Sequence, residues 1–470
     1  MAREHTEPAE NETQAADPAT EVGRPDGSDA ASSRAEEPRA EVSRAEGEQA
    51  PEGVSRRGML GTLLAGGATL ALGAAGGFAA GTATANASSN AAASREYPFF
   101  GEHQQGVTTP VQDRMHFAAF DLRKTATRES IIELLQAWSY AAARLTQGLD
   151  VSASGAVGGS EFAPPDDTGE ALGLSAAGLT ITFGFGPSLF KDEVGRDRFG
   201  LASKQPAELQ PLPPFSGDAL KAELTGGDLC IQACADDPQV AVHAIRNLTR
   251  IAVGTATLRW SQLGFGRTSS TSVSQVTERN LFGFKDGTAN VKAEETAEVT
   301  EHVWVGDEAP EWMRGGTYLV ARRIRMLIEP WDRQSLGEQE RIIGRTKGEG
   351  AAIGHEGEFD DFDPNATDAA GAPILDVASH VRLAHPANNG GARIMRRGYN
   401  FVDGNDELGR LNAGLFFITM QRDPEQFIRV QRSLQTDLLN EYIRHEGGGI
   451  WAVPPGAREG GYVGEGLFAG

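Results

Sequence analysis

The sequence contains two stretches of one design, LCIQACADDPQVAVHAIRNL from Leu229 to Leu248 and LFFITMQRDPEQFIRVQRSL from Leu415 to Leu434. Aligned without a gap, they share the first Leu, an Asp-Pro pair, an Arg eight residues after the Pro and the last Leu. Each predicts an apolar strand, an Asp at a helix N-cap, a Pro at the first helical position and an amphipathic helix. Because the two copies are so far apart, they indicate a duplicated domain and not a solenoid.

The segments around each copy repeat one order of strand, helix, strand, strand and helix. The other elements are predicted at 115–122, 130–145 and 179–186 in the first half, and at 317–328, 337–346 and 397–403 in the second. This order predicts an α+β fold of two tandem ferredoxin-like domains with antiparallel sheets, at residues 100–270 and 275–465. Residues 348–378 lack periodicity and predict a long insertion loop.

The N-terminal region has the composition of an extension followed by a targeting signal. The first fifty residues carry thirteen acidic side chains and five arginines, so residues 1–55 are predicted to be disordered. Arg56 and Arg57 precede an uncharged, glycine-rich run that reaches Ser94, and residues 56–87 resemble a twin-arginine export signal. We therefore expect the twin-arginine export machinery to carry the folded chain to an extracellular, cell-surface or periplasmic location.

Net charge and cysteine content exclude several classes. A formal net charge of −22 disfavours nucleic acid, which is bound through cations at its phosphates. The absence of a CxxCH motif excludes covalent c-type haem. Cys230 and Cys234, four residues apart, would lie about 13 Å apart on one face of a strand. That distance is too long for a disulfide, so buried free thiols are expected.

Two other stretches carry candidate chemistry. In GFKDGTAN, Gly283–Asn290, the residues around Asp286 predict a turn, which either is only a bend or holds the carboxylate for acid–base work. His380 and His385 lie close in sequence, but their spacing is not that of a helical zinc pair and no third ligand is nearby. Three acidic residues of the loop lack calcium-loop spacing and predict a solvated face: Asp360, Asp361 and Asp363.

Taken together, Gly283-x-x-Asp286-Gly287, then SHVRLAHP and then RRGY resemble the dye-decolourising-type haem peroxidases. The order, the spacing and the two duplicated stretches agree with that family over residues 100–460. The resemblance implies two ferredoxin-like domains of the dimeric α/β-barrel type. It also implies one non-covalent haem b per chain, held by the C-terminal domain.

Carried over by position, the resemblance gives roles to single residues. His380 becomes the axial iron ligand, Asp286 the carboxylate above the iron, and Arg396 its distal partner, with Arg397 as the competing assignment. Two segments would line the haem edge: Gly287, Thr288 and Ala289 on one side, and His385, Pro386 and Ala387 on the other. The family often has Asn and Arg flanking that Pro, which leaves direct propionate pairing at this segment open.

The surroundings of these residues are less determined by the sequence. Leu415 and Phe417 form either the apolar distal wall or an ordinary core strand. Glu441 is a candidate carboxylate partner for His380, with a surface charge as the alternative. Five aromatic residues could relay electrons to a surface substrate or simply pack: Trp304, Trp312, Trp331, Tyr399 and Tyr442.

Three functions follow from the resemblance. The first is a haem b peroxidase that reduces hydrogen peroxide and oxidises dyes, phenols or another bulky donor of unknown identity. The second is a deferrochelatase that releases iron from haem beside the membrane components of an iron-uptake system. The third is a haem-storing protein without turnover. Open sheet edges would also allow a homo-oligomer.

Overall fold

The structure, a computed structural model, describes residues 95–469. The predicted disordered extension (1–55) and export signal (56–87) lie outside these residues. The N-terminal half consists of β1 Arg114–Leu122, α1 Arg128–Leu145, β2 Thr180–Phe185, α2 Pro187–Phe190, β3 Leu229–Ala235, α3 Pro238–Ile251 and β4 Ala256–Arg267. The C-terminal half consists of α4 Thr296–His302, β5 Thr317–Met326, α5 Ile328–Trp331, α6 Leu336–Ile343, α7 His380–Ala384, β6 Met395–Arg396, β7 Tyr399–Asn405, β8 Leu411–Gln421, α8 Pro424–Ser433, β9 Ile443–Val453 and α9 Glu465–Phe468.

The two duplicated stretches form the same strand-to-helix unit. The Asp237 side chain accepts a hydrogen bond from a backbone N–H in the first turn of α3, and Asp423 does the same for α8. A Pro follows each of these residues at the first helical position, where its missing N–H costs nothing. The predicted N-caps are therefore confirmed in both copies.

Each half forms a four-stranded antiparallel sheet with one strand order. The first sheet runs β2-β3-β1-β4 and the second runs β7-β8-β5-β9, with the two-residue strand β6 as an additional partner of β8. If β6 is left out and the strands of each half are counted from one, the two orders are the same. In each half a closing strand, β4 or β9, completes the unit that the sequence pattern predicted only as far as its second helix. This is the ferredoxin-like arrangement, so the predicted fold class is confirmed.

The two sheets join at both edges and close into a barrel. Phe265 of β4 pairs with Asn400 of β7, and Phe185 of β2 pairs with Ala452 of β9. Aromatic rings from both halves pack in the interior, where the Phe117 ring centroid lies 5.3 Å from that of Phe416. The free thiols of Cys230 and Cys234 are buried in the same core, as predicted.

Strand β8 has two faces with different surroundings. Phe416 and Ile418 point into the barrel interior, whereas Leu415 packs in a second apolar cluster with Ile324 of β5. Phe417 also packs against that second cluster, because side chains two residues apart share one face of a strand. The site described below lies on this outer face of the C-terminal sheet.

Residues 348–378, between α6 and α7, contain turns and bends but no helix or strand of their own, as the sequence predicted. Among residues 95–469, no helix combines the length and the apolar character that crossing a bilayer requires.

Candidate functional site

A cavity of about 260 Å³ opens in the C-terminal half. The GFKDGTAN stretch, α7 and the outer faces of β5, β8 and β9 form its walls. Much of this lining is apolar: Phe282, Phe284, Ile324, Met326, Leu415 and Phe417. Asp286, Arg396 and His380 line the same cavity. Three side chains that are far apart in the sequence therefore face one apolar space.

A tight backbone turn positions Asp286. The Asp286 N–H donates to the Glu278 carbonyl at 3.0 Å, and Arg279 pairs with Lys285 as an antiparallel bridge. Gly283 and Gly287 have φ of 82° and 90°, which favours glycine at both positions. A Cβ on Gly287 would lie 3.0 Å from the Ser269 Cα. Backbone geometry and protein contacts therefore account for both glycines.

Asp286 and Arg396 form an ion pair. The distance from Arg396 Nη1 to Asp286 Oδ1 is 3.1 Å, and both side chains are largely shielded from solvent. Asn290 fixes the backbone of Arg396, because its Oδ1 accepts from the Arg396 N–H at 2.6 Å and its Nδ2 donates to the Arg396 carbonyl at 2.8 Å. The same Nδ2 donates to the Ser270 carbonyl at 2.9 Å. Asn290 thus joins the turn that carries Asp286 to the strand that carries Arg396.

We expect Asn290→Ala to lower the free energy of unfolding by about 1–3 kcal/mol, because buried backbone groups lose their partners. Haem should stay bound while the reaction with peroxide slows, since Arg396 is no longer fixed opposite Asp286. Chemical denaturation and stopped-flow absorption would measure the two effects. Asn389→Ala is a matched control, because its buried amide bonds the carbonyls of Leu383 and His385 and not Arg396. Equal slowing in both variants would contradict the role of Asn290.

Arg397, the competing distal arginine, points away from the cavity. Its side chain is fully buried and donates to the Thr109 carbonyl at 2.6 Å and to Gln112 in the N-terminal half. Consecutive residues of an extended chain point to opposite faces. Arg396 therefore faces the cavity, and Arg397 ties the two halves together.

His380 begins α7 and is held by a buried carboxylate. His380 Nδ1 lies 2.6 Å from Asp437 Oδ2, and Asp437 Oδ1 accepts from the Leu439 N–H at 2.8 Å. A carboxylate accepts this hydrogen bond, so Nδ1 carries a proton and Nε2 is the ring nitrogen left to bind a metal. Of the two interpretations of Glu441, the surface charge is confirmed, because Glu441 is exposed and Asp437 is the partner of His380.

The charges around His380 act in opposite directions. Burial alone would lower the pKa of His380, but the adjacent Asp437 carboxylate outweighs burial and holds that pKa above its usual value. Asp286 raises the same pKa through space and Arg396 lowers it, although neither forms a hydrogen bond to the imidazole. The imidazole is therefore electron-rich and oriented, which suits a metal ligand.

The remaining predicted edge residues divide into two groups. Gly287, Thr288 and Ala289 line the cavity, as do His385 and Pro386. Ala387 was predicted to line it too, but it does not; its N–H donates to His385 Nδ1 at 3.2 Å and begins a short turn. Leu415 and Phe417 both contribute to the cavity wall while packing in the core.

His445, on β9, also lines the cavity wall, although no sequence motif indicates it. Its Nδ1 lies 3.4 Å from Arg322 Nε, and Arg322 in turn pairs with Asp218. Burial, together with the charge of Arg322, lowers the pKa of His445 to about 3. This histidine is neutral in the folded chain at neutral pH.

His445 should make the folded state sensitive to acid. Because the folded-state pKa lies below that of the unfolded chain, the unfolded state binds the proton first as the pH falls. Stability is then lost from about pH 6.5 downward, by up to roughly 1.4 kcal/mol per pH unit, until His445 itself protonates. We expect His445→Gln to flatten this slope in denaturation series between pH 7 and pH 4. His355→Gln, at an exposed histidine, serves as the control, and the idea fails if His445→Gln keeps the wild-type slope.

The residues of the cavity fit a haem group. An apolar cleft suits a porphyrin ring, an imidazole held through Nδ1 with no hydrogen bond at Nε2 within the described residues suits ferric iron, and a second polar pair faces the same space. Among residues 95–469, no cluster of three or more His, Cys, Asp or Glu side chains is arranged to hold a bare metal ion. The barrel and this cavity are those of a haem protein in which a carboxylate–guanidinium pair faces the haem site.

Comparison with known proteins identifies the family. The model for the N-terminal part of the Dyp-type peroxidases matches residues 104–266, and the model for their C-terminal part matches residues 277–458. A dye-decolorizing peroxidase of Thermobifida fusca is 38% identical over 387 residues, which cover 78% of this chain and 84% of that protein. A deferrochelatase of Escherichia coli K12 is 36% identical over 377 residues, which cover 78% and 86% of the two chains.

Solved structures lead to the same family. The ferric form of DtpA from Streptomyces lividans is 40% identical, with a TM-score of 0.73, and the match covers 81% of this chain and 99% of that one. A DyP-type peroxidase from Cellulomonas bogoriensis gives a TM-score of 0.71 at 38% identity, with the same coverage. The chain therefore belongs to the Dyp-type peroxidase family. The predicted family, peroxidase activity and haem b cofactor are confirmed.

Proposed function

We propose that Asp286 is the acid–base group of this peroxidase, that Arg396 stabilises developing negative charge, and that His380 is the axial ligand of the haem iron. One observation carries the proposal: the Asp286–Arg396 ion pair and the Asp437-bound imidazole of His380 face a single apolar cavity. Haem b, when bound, supplies the iron that binds peroxide and takes up its two oxidising equivalents. The side chains supply the proton transfers and the charge stabilisation.

Asp286 has one oxygen engaged and one available. Oδ1 accepts from Arg396, while Oδ2 has no hydrogen bond within the described part of the chain. Oδ2 can therefore take the proton from the peroxide oxygen nearer the iron and return it to the farther oxygen, which leaves as water. Because the cleft is lined mostly by apolar side chains, few other groups compete for this proton.

Arg396 acts on the same bond through its charge. As the far oxygen departs, negative charge develops on it, and a guanidinium in a cleft of low dielectric stabilises that charge more than solvent would. The Asp286 carboxylate holds the guanidinium in place, and Asn290 fixes the Arg396 backbone. No movement of Arg396 is then needed during the reaction.

Asp437 orients the imidazole of His380 in the folded chain without haem. The Nδ1–H···Oδ2 hydrogen bond fixes the ring orientation and increases the electron density at Nε2, the nitrogen that would bind iron. Because Asp437 also caps the following turn, its carboxylate is itself held in place. The fold therefore fixes both the His380 imidazole and the Asp437 carboxylate that bonds it.

We expect the reaction with peroxide to persist at about pH 4 to 5. The group that we assign to proton transfer is an aspartate and not a histidine, whose ordinary pKa of about 6.5 would end base catalysis there. Stopped-flow rates between pH 3.5 and 8, with the haem absorption followed in the same samples, would measure this. A rate that collapses below neutral pH while haem remains bound would count against Asp286 as the base.

The electron donor is expected to be a dye, a phenol or another bulky molecule oxidised away from the haem. Of the five aromatic residues considered as relays, Trp331 lies behind the cavity wall, stacked on Phe282 at 4.3 Å between ring centroids. Tyr442 packs edge-on against Trp331, with 5.2 Å between ring centroids. We propose this pair as an electron path, and Trp331→Phe should then slow oxidation of bulky dyes more than the reaction with peroxide.

A second candidate is iron release from haem, because several relatives at 35–36% identity are named deferrochelatases. Incubation of the haem-loaded chain under anaerobic reducing conditions separates the two. Metal-free porphyrin among the products would favour the deferrochelatase function, and intact haem would favour the peroxidase alone. Association with iron-uptake membrane components and a homo-oligomeric state remain predictions.

Export remains a prediction that rests on the sequence of residues 56–87. The twin arginines Arg56 and Arg57 and the uncharged run after them support transport of the folded, haem-loaded chain. Replacement of both arginines by lysine should then retain the chain inside the producing cell, whereas unchanged export would rule out this route.

A further inference from the structure

Four cationic side chains of Lys and Arg line the cavity. Three have an acidic partner: Lys285 with Glu358 at 2.6 Å, Arg393 with Glu298 at 2.9 Å, and Arg396 with Asp286 at 3.1 Å. The fourth, Arg345, forms no ion pair with any Asp or Glu within residues 95–469. Arg345 is the one cation of this set whose charge the described chain leaves uncompensated.

Arg345 is buried and held in place. It is 7% exposed, and its Nη1 donates to the carbonyls of Gly350 at 2.6 Å and Glu358 at 3.0 Å. The ring of Phe362 lies beneath the guanidinium, with 5.5 Å between Cζ and the ring centroid. Within the described residues, Nε and Nη2 form no hydrogen bonds. Nε and Nη2 of this fixed guanidinium are therefore available to donate to a ligand in the cavity.

Glu358, whose backbone carbonyl accepts from Arg345, does not form an ion pair with it. Burial would raise the pKa of Glu358, but hydrogen bonds from Lys285 and Thr288 outweigh burial and hold it below its usual value. Both carboxylate oxygens of Glu358 are therefore occupied, one by Lys285 and one by Thr288 at 3.0 Å. Arg345 reaches only the backbone carbonyl of that residue.

His385 lies next to this cation. Its ring packs edge-on against Phe362 at 5.2 Å, and its Nδ1 accepts from the Ala387 N–H. Nε2 therefore carries the ring proton and can donate. Burial lowers the pKa of His385, Asp361 opposes this, and the charge of Arg345 lowers the pKa further. His385 is a neutral donor beside a buried cation.

We propose that Arg345 binds a propionate carboxylate of the haem, with His385 Nε2–H as a second donor. The inference rests on the haem site of the proposed function and adds the residues that orient the porphyrin within it. A planar guanidinium fork matches a carboxylate, and the pair is strong where water is excluded. The family often has an Arg after the Pro of this segment, but here that residue is the uncharged Ala387. Arg345 would therefore supply the positive charge that binds the propionate.

The electrostatic surroundings of Arg345, which has no ion-pair partner among the described residues, support this assignment. Burial lowers the pKa of Arg345 from its usual value, the positive charge of Arg396 lowers it further, and Glu358 opposes both. A buried cation without a paired anion is costly, and an incoming carboxylate removes that cost. The same carboxylate would fix which edge of the porphyrin faces Phe362.

Haem and its dimethyl ester, in which both propionates are blocked, test the pairing from the ligand side. Each is loaded into the chain, and its loss to excess apomyoglobin is followed by absorption. We expect the wild type to release the ester about 10- to 100-fold faster than haem. Arg345→Leu should release haem about as fast as the wild type releases the ester, while its release of the ester stays unchanged. Arg345→Lys should release haem at a rate between those of the wild type and Arg345→Leu.

Arg382→Leu is the matched control, because Arg382 belongs to α7 and bonds the Leu375 carbonyl outside the cavity. It should leave both release rates unchanged. The proposal would be overturned if Arg345→Leu accelerated the release of haem and of the ester equally, or accelerated neither. It would also be overturned if the wild type released the two ligands at the same rate. If Arg345→Leu is insoluble, Arg345→Lys and Arg345→Gln carry the same comparison. A wild type that binds neither ligand would instead refute the haem site.

Discussion

His380→Ala should abolish stable haem binding, the largest effect that we expect from one substitution. The variant should fold, because His380 lies in a five-residue helix beside the cavity and belongs neither to the barrel core nor to the apolar cluster around Leu415 and Ile324. Without the imidazole, the iron has no protein ligand, and the apolar cleft alone retains haem weakly. Titration with hemin, followed in the Soret region, should give an affinity at least about 100-fold below that of the wild type.

Two companion measurements separate ligation from general damage. Free imidazole should partly restore the absorption of a His380→Gly variant, since it fills the space that the side chain left. Asp437→Asn should keep the haem, with affinity lowered by about 10- to 100-fold, because it disturbs the ligand only through its hydrogen bond. If His380→Ala binds hemin as tightly as the wild type, another residue ligates the iron.

Asp286→Asn should keep haem and lose most of the reaction with peroxide. Asn has the same shape and can still meet Arg396, but it cannot accept and return a proton. The second-order rate with hydrogen peroxide should fall by about 10²- to 10⁴-fold, with an unchanged Soret band in the resting protein. Stopped-flow absorption at increasing peroxide concentrations measures that rate.

The matched control is Asp361→Asn, the same exchange at an exposed residue of the long loop near the cavity. It should react at the wild-type rate. Arg396→Leu should also keep haem and slow the reaction by about 10²- to 10³-fold, as for loss of one charge-stabilising donor. Were Asp286→Asn to react as fast as the wild type, the turn at Gly283–Asn290 would be structural only.

Much of the fold could be predicted because the duplicated units carry their own local signals. The Asp-Pro caps mark where each second helix starts, and the flanking apolar runs mark the strands. The closing strands β4 and β9 were missed, since β4 alternates buried and exposed residues irregularly and β9 contains three consecutive glycines. Pairing with the neighbouring strands, not intrinsic preference, makes these segments extended.

The site was predictable where the residues fall within short motifs and not where partners are distant. Asp286, His380 and Arg396 stand in recognisable stretches, and the direction of Arg396 follows from strand alternation once β6 is known. Asp437 lies far along the chain from His380, and its local sequence shows only a helix-capping Asp. Asn290 and Arg345 likewise act through contacts that the folded chain alone creates.

The glycines of the GFKDGTAN turn show a second limit. The sequence marks Gly283 and Gly287 as unusual but cannot say what would collide with a side chain there. The structure supplies Lys347 at the first position and Ser269 at the second, together with positive φ at both. A motif glycine next to a cofactor site can therefore be required by the protein alone.

The most direct measurement is an absorption spectrum of the purified chain supplied with hemin, before and after one equivalent of hydrogen peroxide. With His380 as ligand and Asp286 with Arg396 as the reaction pair, one haem per chain should give a Soret band that peroxide shifts within the stopped-flow time range. A well-folded chain that stays colourless, or a bound haem whose Soret band peroxide leaves unchanged, would contradict the account.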